Sequence, residues 1–208
     1  AKIVPVLKRH NIIIISDEIY AELTYTEERH ASIAEFPELY ERVILLSGFS
    51  KSFAMTGWRL GYACGHRDLI AAMVKIHQYT MLCAPIMSQA AALEGLTRSL
   101  ADGFSQVESM KRAYNRRRRM ILSEVRKMGL DCFEPQGAFY IFPSIKFTGL
   151  SSEAFCQDLL TKQKVAVVPG TAFGPSGEGH IRCSYAYSVE SIHEALSRIR
   201  RYLDNTDK

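Results

Sequence analysis

Apolar residues gather in short solid blocks near the start of the chain and in helical stripes further on. Ile3, Val4, Val6 and Leu7 make a short helix-compatible pattern over residues 2–9. Pro5 belongs in its first turn, where a missing N–H costs nothing. Ile12 to Ile15 is an unbroken β-branched run, the pattern of a strand covered on both faces. It switches abruptly to Ser16-Asp17-Glu18. Val43 to Leu46 predicts a second strand, ending polar at Ser47-Gly48, and Leu60 to Cys64 a third, closed by Gly65. Three such strands between helical or looped stretches predict an α/β fold, part of a mostly parallel sheet with flanking helices. Ligands of such sheets sit beyond the carboxyl ends of the strands, where the polar switches at Asp17 and Ser47 fall.

Helical periodicity runs over residues 68–75 and 85–96. A long helix is expected from Ser99 to Met128, with Gly103 as its weak point and Gly129 as its stop. The texture then changes. Strand candidates 131–133 and 138–142 flank a turn at Glu134-Pro135-Gln136-Gly137, and a helix from Ser151 or Ser152 to Lys162 follows. Strands at 165–168 and 180–184 and an amphipathic helix at 189–203 complete a smaller α+β domain. The division expected is 1–110 for the first domain and 111–208 for the second, joined by the long helix.

Composition narrows the classes. The 208 residues are 47% hydrophobic and 23% charged with a net charge of +4, which excludes bulk disorder, collagen-like repeats and coiled coil. No apolar run approaches the ~18 residues of a membrane-spanning helix. The charge is too small to argue for nucleic acid or an anionic membrane, and the basic stretch from Lys111 to Arg119 reads as a solvated helix face. Five cysteines, at 64, 83, 132, 156 and 183, show no metal spacing and read as buried free thiols. Trp58 reads as a packing residue, and His10, His66 and His77 have no partner at ligand spacing. The chain opens Ala1-Lys2-Ile3, without an initiator methionine or a secretory h-region, and reads as a piece of a longer protein.

Two segments hold candidate chemistry. The stretch from Gly48 to Gly61, Gly-Phe-Ser-Lys-Ser-Phe-Ala-Met-Thr-Gly-Trp-Arg-Leu-Gly, follows a buried strand and contains Lys51 and Arg59. A lysine at a strand end can form a Schiff base, and an arginine can hold a phosphate bidentately. Taken alone, both also read as solvated loop charges. The second segment is Ser16-Asp17-Glu18-Ile19-Tyr20. An acid there can keep a cationic ring nitrogen protonated, or simply cap a loop.

Together, Asp17-x-x-Tyr20 followed about thirty residues later by Ser50-Lys51 and Arg59 resembles the fold-type-I pyridoxal-phosphate enzymes, specifically the class I/II aminotransferases. The likeness takes in Gly48, Ser50, Lys51, Ala54, Met55, Gly57, Arg59, Leu60 and Gly61. It extends to the segments 136–140, 168–174 and 180–186. The resemblance implies pyridoxal 5'-phosphate as cofactor, with Lys51 as the Schiff-base lysine and proton shuttle. Asp17 would pair with the pyridine nitrogen and Tyr20 would bond the 3-oxygen. Ser50 and Arg59 would hold the phosphate, and Arg182 would clamp the substrate α-carboxylate. Gly48 stands where many relatives place a phosphate-contacting serine, with Ser47 one position earlier.

The same resemblance makes the chain the C-terminal half of such an enzyme, with the first domain belonging to the large cofactor-binding domain. It implies amino acid and 2-oxo acid substrates, a homodimer in the full-length protein, a cytoplasmic location, and neither nucleic acid nor membrane as partner. A β C–S lyase and an aminotransferase-like regulatory domain share the Asp17, Lys51 and Arg59 set. A catalytically inactive structural or interaction fragment is the alternative from another class.

Overall fold

Helix α1 (Val4–Lys8) starts with Pro5 at its first positions and lays Val4 against Leu39 and Val43, with Leu7, Ile14, Ile33 and Phe36 closing around them. This small core seats the first sheet of the computed structural model, which describes residues 2–206. Strand β1 (Ile14–Asp17) pairs parallel with β2 (Val43–Gly48), Ile14 opposite Val43 and Asp17 opposite Leu46. Strand β3 (Gly61–Gly65) pairs antiparallel with β2, Ile44 opposite Gly65 and Gly48 opposite Gly61. The sheet is therefore mixed, not mostly parallel. The cause is the connection. A parallel return needs a crossover, usually a helix, and the segment between β2 and β3 holds only a 3-10 turn, Thr56–Trp58.

The isoleucine run also departs from expectation. Only its last two residues enter β1, which lies at the edge of the sheet. Ile12, Ile13 and Ile15 are 47%, 51% and 66% exposed instead of covered on both faces. Helices α2 (Arg67–Thr80) and α3 (Ile86–Asp102) likewise leave Ile76, Tyr79, Ile86 and Met87 open. Cys64 and Cys83 are exposed and so are not core thiols, because β3 forms the other sheet edge and Cys83 lies between α2 and α3. Trp58, 45% exposed, is not packed inside either.

The long helix expected from Ser99 is two helices. Gly103 and Phe104 both adopt left-handed backbone, with φ of 67° and 60°, and α3 ends there. Asp102 accepts from the Ser105 amide (3.1 Å) and hydroxyl (2.7 Å), starting α4 (Ser105–Lys127). These bonds hold the Asp102 carboxyl below its ordinary pKa.

The chain falls into two compact units, Ala1–Lys111 and Arg112–Lys208. The second holds an antiparallel sheet of order β4-β6-β5, from β4 (Tyr140–Ile141), β5 (Val168–Pro169) and β6 (Ile181–Ser184). Helices α5 (Ser152–Gln163) and α6 (Val189–Thr206) bury Phe155, Leu159, Ile192 and Tyr202. The Tyr202 ring meets Phe155 edge-on at 5.2 Å while its hydroxyl donates to Asp158 (2.8 Å). Residues 131–133 do not form a strand, since Arg126 captures the Cys132 carbonyl with two donors at 2.8 and 3.2 Å.

Nor is the arginine run a uniformly solvated face. Arg118 is only 5% exposed. It donates to Asn115 Oδ1 (2.9 Å), Glu134 Oε1 (2.8 Å) and the Pro135 carbonyl (2.9 Å), pinning the 134–137 turn. No helix among the described residues is long and apolar enough to cross a membrane.

Candidate functional site

Strand direction assembles the site of the first unit. Because β1 and β2 run parallel, both end at one edge of the sheet. Asp17 closes β1, Tyr20 follows it, and Ser50 and Lys51 follow β2. Because β3 runs back, it starts at that same edge, and Arg59 stands two residues before it. Five of the six residues singled out in the sequence thus meet on one rim. The Lys51 ammonium lies 5.6 Å from the centroid of the Tyr20 ring. Asp17 is exposed and accepts from the Ile19 amide at 3.1 Å. Arg59 is exposed and donates to the Thr56 carbonyl at 2.8 Å.

The loop bearing Lys51 is tied down along its length. The buried Phe49 ring packs on Phe53 (5.3 Å) and Tyr62 (5.9 Å). Backbone bonds close the loop from Phe49 N to Leu60 O and from Met55 N to Phe49 O. Ser88 of α3 donates to the Trp58 carbonyl at 2.7 Å. A lysine on such a loop is aimed by backbone, and not by its own flexible stem. Gly48 explains the missing serine. A Cβ there would sit 2.9 Å from Gly61 Cα and 3.0 Å from Leu60 O. Overpacking of this kind costs about 1–3 kcal/mol, so in a full-length protein about twice this length Gly48→Ser should lower the melting temperature by roughly 1–4 °C. Differential scanning calorimetry checks this.

Glu18 was not singled out in the sequence. It is 8% exposed and gathers four partners: Ser32 Oγ at 2.8 Å, Ser16 Oγ at 3.1 Å, His30 Nε2 at 3.1 Å and the Ile33 amide at 3.3 Å. It thereby anchors the segment after Tyr20 beneath the rim. The available signal was strand alternation, which turns Glu18 inward when Asp17 faces out.

Arg182 belongs to the second unit, on β6. Ile181 and Cys183 point into the core and Arg182 to the opposite face. Its guanidinium carbon lies 4.5 Å from the Tyr140 ring centroid and 4.6 Å from that of Phe173. Among the described residues no carboxylate forms an ion pair with it. The internal salt bridge that would make it purely structural is thus missing from these residues. Cys183, on the inner face, lines a cavity of about 610 Å³ with Val165, Ile192 and Ile199. Burial pushes its thiol up to about 12, so it is no nucleophile at neutral pH. No group of His, Cys, Asp and Glu among the described residues could hold a metal ion.

A lysine, a carboxylate, a phenol, a hydroxyl and a guanidinium on one sheet edge suit an anionic, carbonyl-bearing aromatic cofactor. The chain belongs to the family of class I and II aminotransferases, whose model it matches over residues 1–199. Enzymes of this family depend on pyridoxal 5'-phosphate, which the donor set fits. Among relatives, it is 57% identical to a Bacillus subtilis (strain 168) protein named "Putative aminotransferase YugH", over 96% of this chain and 50% of that protein. It is 44% identical to an aspartate aminotransferase of Pyrococcus abyssi, over 93% of this chain and 49% of that one. The crystal structure of an aromatic aminotransferase from Pyrococcus horikoshii OT3 superposes with a TM-score of 0.93 at 43% identity, over 99% of this chain and 54% of that one. The chain spans about half the length of the curated relatives it matches.

Proposed function

We propose that this chain is the C-terminal half of a pyridoxal-phosphate-dependent aminotransferase that moves an amino group between an amino acid and a 2-oxo acid. The observation that carries the reading is the meeting of Asp17, Tyr20, Ser50, Lys51 and Arg59 on one sheet edge. On this reading residues 1–110 are the C-terminal part of the large cofactor-binding domain, and 111–208 are the smaller domain, joined through α4. The open apolar side chains of β1, α2 and α3 support burial by the rest of the full-length protein and by a second, identical subunit. The enzyme works in the cytoplasm.

Bound pyridoxal phosphate supplies an electron sink next to the substrate's α-carbon. Lys51 would hold it covalently through Nζ; once the substrate's amino group takes over that bond, the freed Nζ amine would move the α-carbon proton. Asp17 would set a negative charge at the ring nitrogen and keep a proton on it. Tyr20 would donate a hydrogen bond to the 3-oxygen. Arg59 and Ser50 would hold the phosphate. Arg182 binds the substrate α-carboxylate with two parallel N–H donors, which orients the α-carbon.

The test incubates the full-length holoenzyme with each of the twenty amino acids and 2-oxoglutarate. Recovery of the amino group on the acceptor is the expected result. Pyruvate and ammonia from cystathionine without an acceptor would instead mark a lyase. Cofactor binding with neither reaction would mark a regulatory or inactive module.

A further inference from the structure

The rings at Arg182 come from two separate places in the second unit. Tyr140 lies on β4 opposite Ser184, diagonal to Arg182 on the neighbouring β6. Phe173 closes the 3-10 turn Gly170–Phe173 that follows β5, whose Val168 pairs with Arg182. That turn is fixed although Phe173 is 52% exposed. The Gly170 amide donates to the His180 carbonyl at 2.8 Å, and Gly174 to Thr171 at 3.0 Å. A Cβ on Gly170 would meet Gly177 O at 2.0 Å, so the two backbone segments are in direct contact. Phe142 braces the cluster, edge-on to Phe173 at 6.1 Å and stacked on His180 at 5.3 Å with 6° between planes.

A guanidinium packed on ring faces keeps its N–H donors in its own plane, away from the rings. Arg182 spends none of them on an ion pair with a described carboxylate. We propose that Tyr140 and Phe173 are positioning residues, whose rings fix the Arg182 guanidinium so that two of its in-plane N–H donors are ready for the substrate α-carboxylate. This rests on the aminotransferase reading and on Arg182 as its carboxylate clamp. Without the rings, a long and flexible side chain must be ordered each time a substrate binds, and that entropy is charged to affinity.

Both substrates of the exchange carry the carboxylate, so both feel the loss. In the full-length holoenzyme, Tyr140→Leu and Phe173→Leu should each raise KM about 3- to 10-fold, the range for a cation on a half-exposed ring. The rise should appear for the best amino donor of the panel and for the 2-oxo acid alike, with the effect on KM and not on kcat. Tyr140→Phe and Phe173→Tyr keep a ring and should restore KM. Phe173, half exposed, carries the test should Tyr140→Leu fail to fold. Unchanged KM in the leucine variants would overturn the inference. So would ring-for-ring variants as impaired as the leucine ones, or a loss confined to kcat and melting temperature. The underlying reading fails separately: it falls if the wild-type enzyme exchanges no amino group, or if Arg182→Lys leaves KM unaltered.

Discussion

Replacing Lys51 with alanine in the full-length holoenzyme is expected to lower kcat by about 10³-fold or more. The loss of a positioned proton-transfer group alone accounts for about 10²–10⁴-fold, and the proposed function makes the same side chain the covalent anchor of the cofactor. The rim geometry makes the effect specific. Phe49, Met55 and Leu60 bind the loop through backbone bonds, and the ammonium lies over Tyr20, so no other lysine inherits the position. Borohydride reduction of the wild-type holoenzyme followed by peptide mapping should place the pyridoxyl label on Lys51, and the alanine variant should lose it. An adduct on another lysine, with Lys51 unlabelled, would remove Lys51 from its role. Lys51→Arg keeps the charge but cannot form the bond, and should be as inactive as Lys51→Ala.

Arg182→Lys should reduce kcat/KM by roughly 10- to 100-fold, the about 1.5–3 kcal/mol of a charged hydrogen bond. Lysine preserves the positive charge and loses the planar fork, so a bidentate grip becomes a point contact. It also loses the flat surface that packs on Tyr140 and Phe173. The cofactor contacts proposed above all lie in the first unit, so the absorbance of the bound cofactor should be nearly unchanged. Steady-state kinetics and the visible spectrum of the variant check both halves. Loss of the cofactor band together with activity, or no change in either, would make Arg182 a structural residue.

What the sequence discloses follows the range of the interactions concerned. Strand β2, helices α5 and α6 and the stop at Gly129 rest on local periodicity and capping, and they stand near their expected bounds. The direction of β3 is not local. It depends on whether a crossover helix forms between residues 49 and 60, which no alternation of apolar residues reports. The break of the long helix needed Gly103 and Phe104 to turn left-handed together, and only the glycine advertises that. Exposure of the isoleucine run depends on what lies across the sheet edge, a property of partners in space. At the site, the motif spacing marked Asp17, Lys51 and Arg59 because each sits a fixed distance from a strand end. No local pattern ties Tyr140 or Phe173 to Arg182, because Tyr140 reaches it through inter-strand register across more than forty residues and Phe173 from the separate turn after β5.

If the proposed function holds, Arg59 has a consequence for anyone who would evolve the full-length protein. It adopts left-handed backbone, φ 52° and ψ 50°, a conformation that costs a side-chain-bearing residue about 1–2 kcal/mol and a glycine almost nothing. A library screened only for survival at high temperature therefore has a ready prize at this codon, since glycine relieves the strain. The winner would also discard the guanidinium assigned to the phosphate. Heat resistance and turnover are set against each other at a single position, and a laboratory lineage keeps the arginine only if growth depends on the reaction.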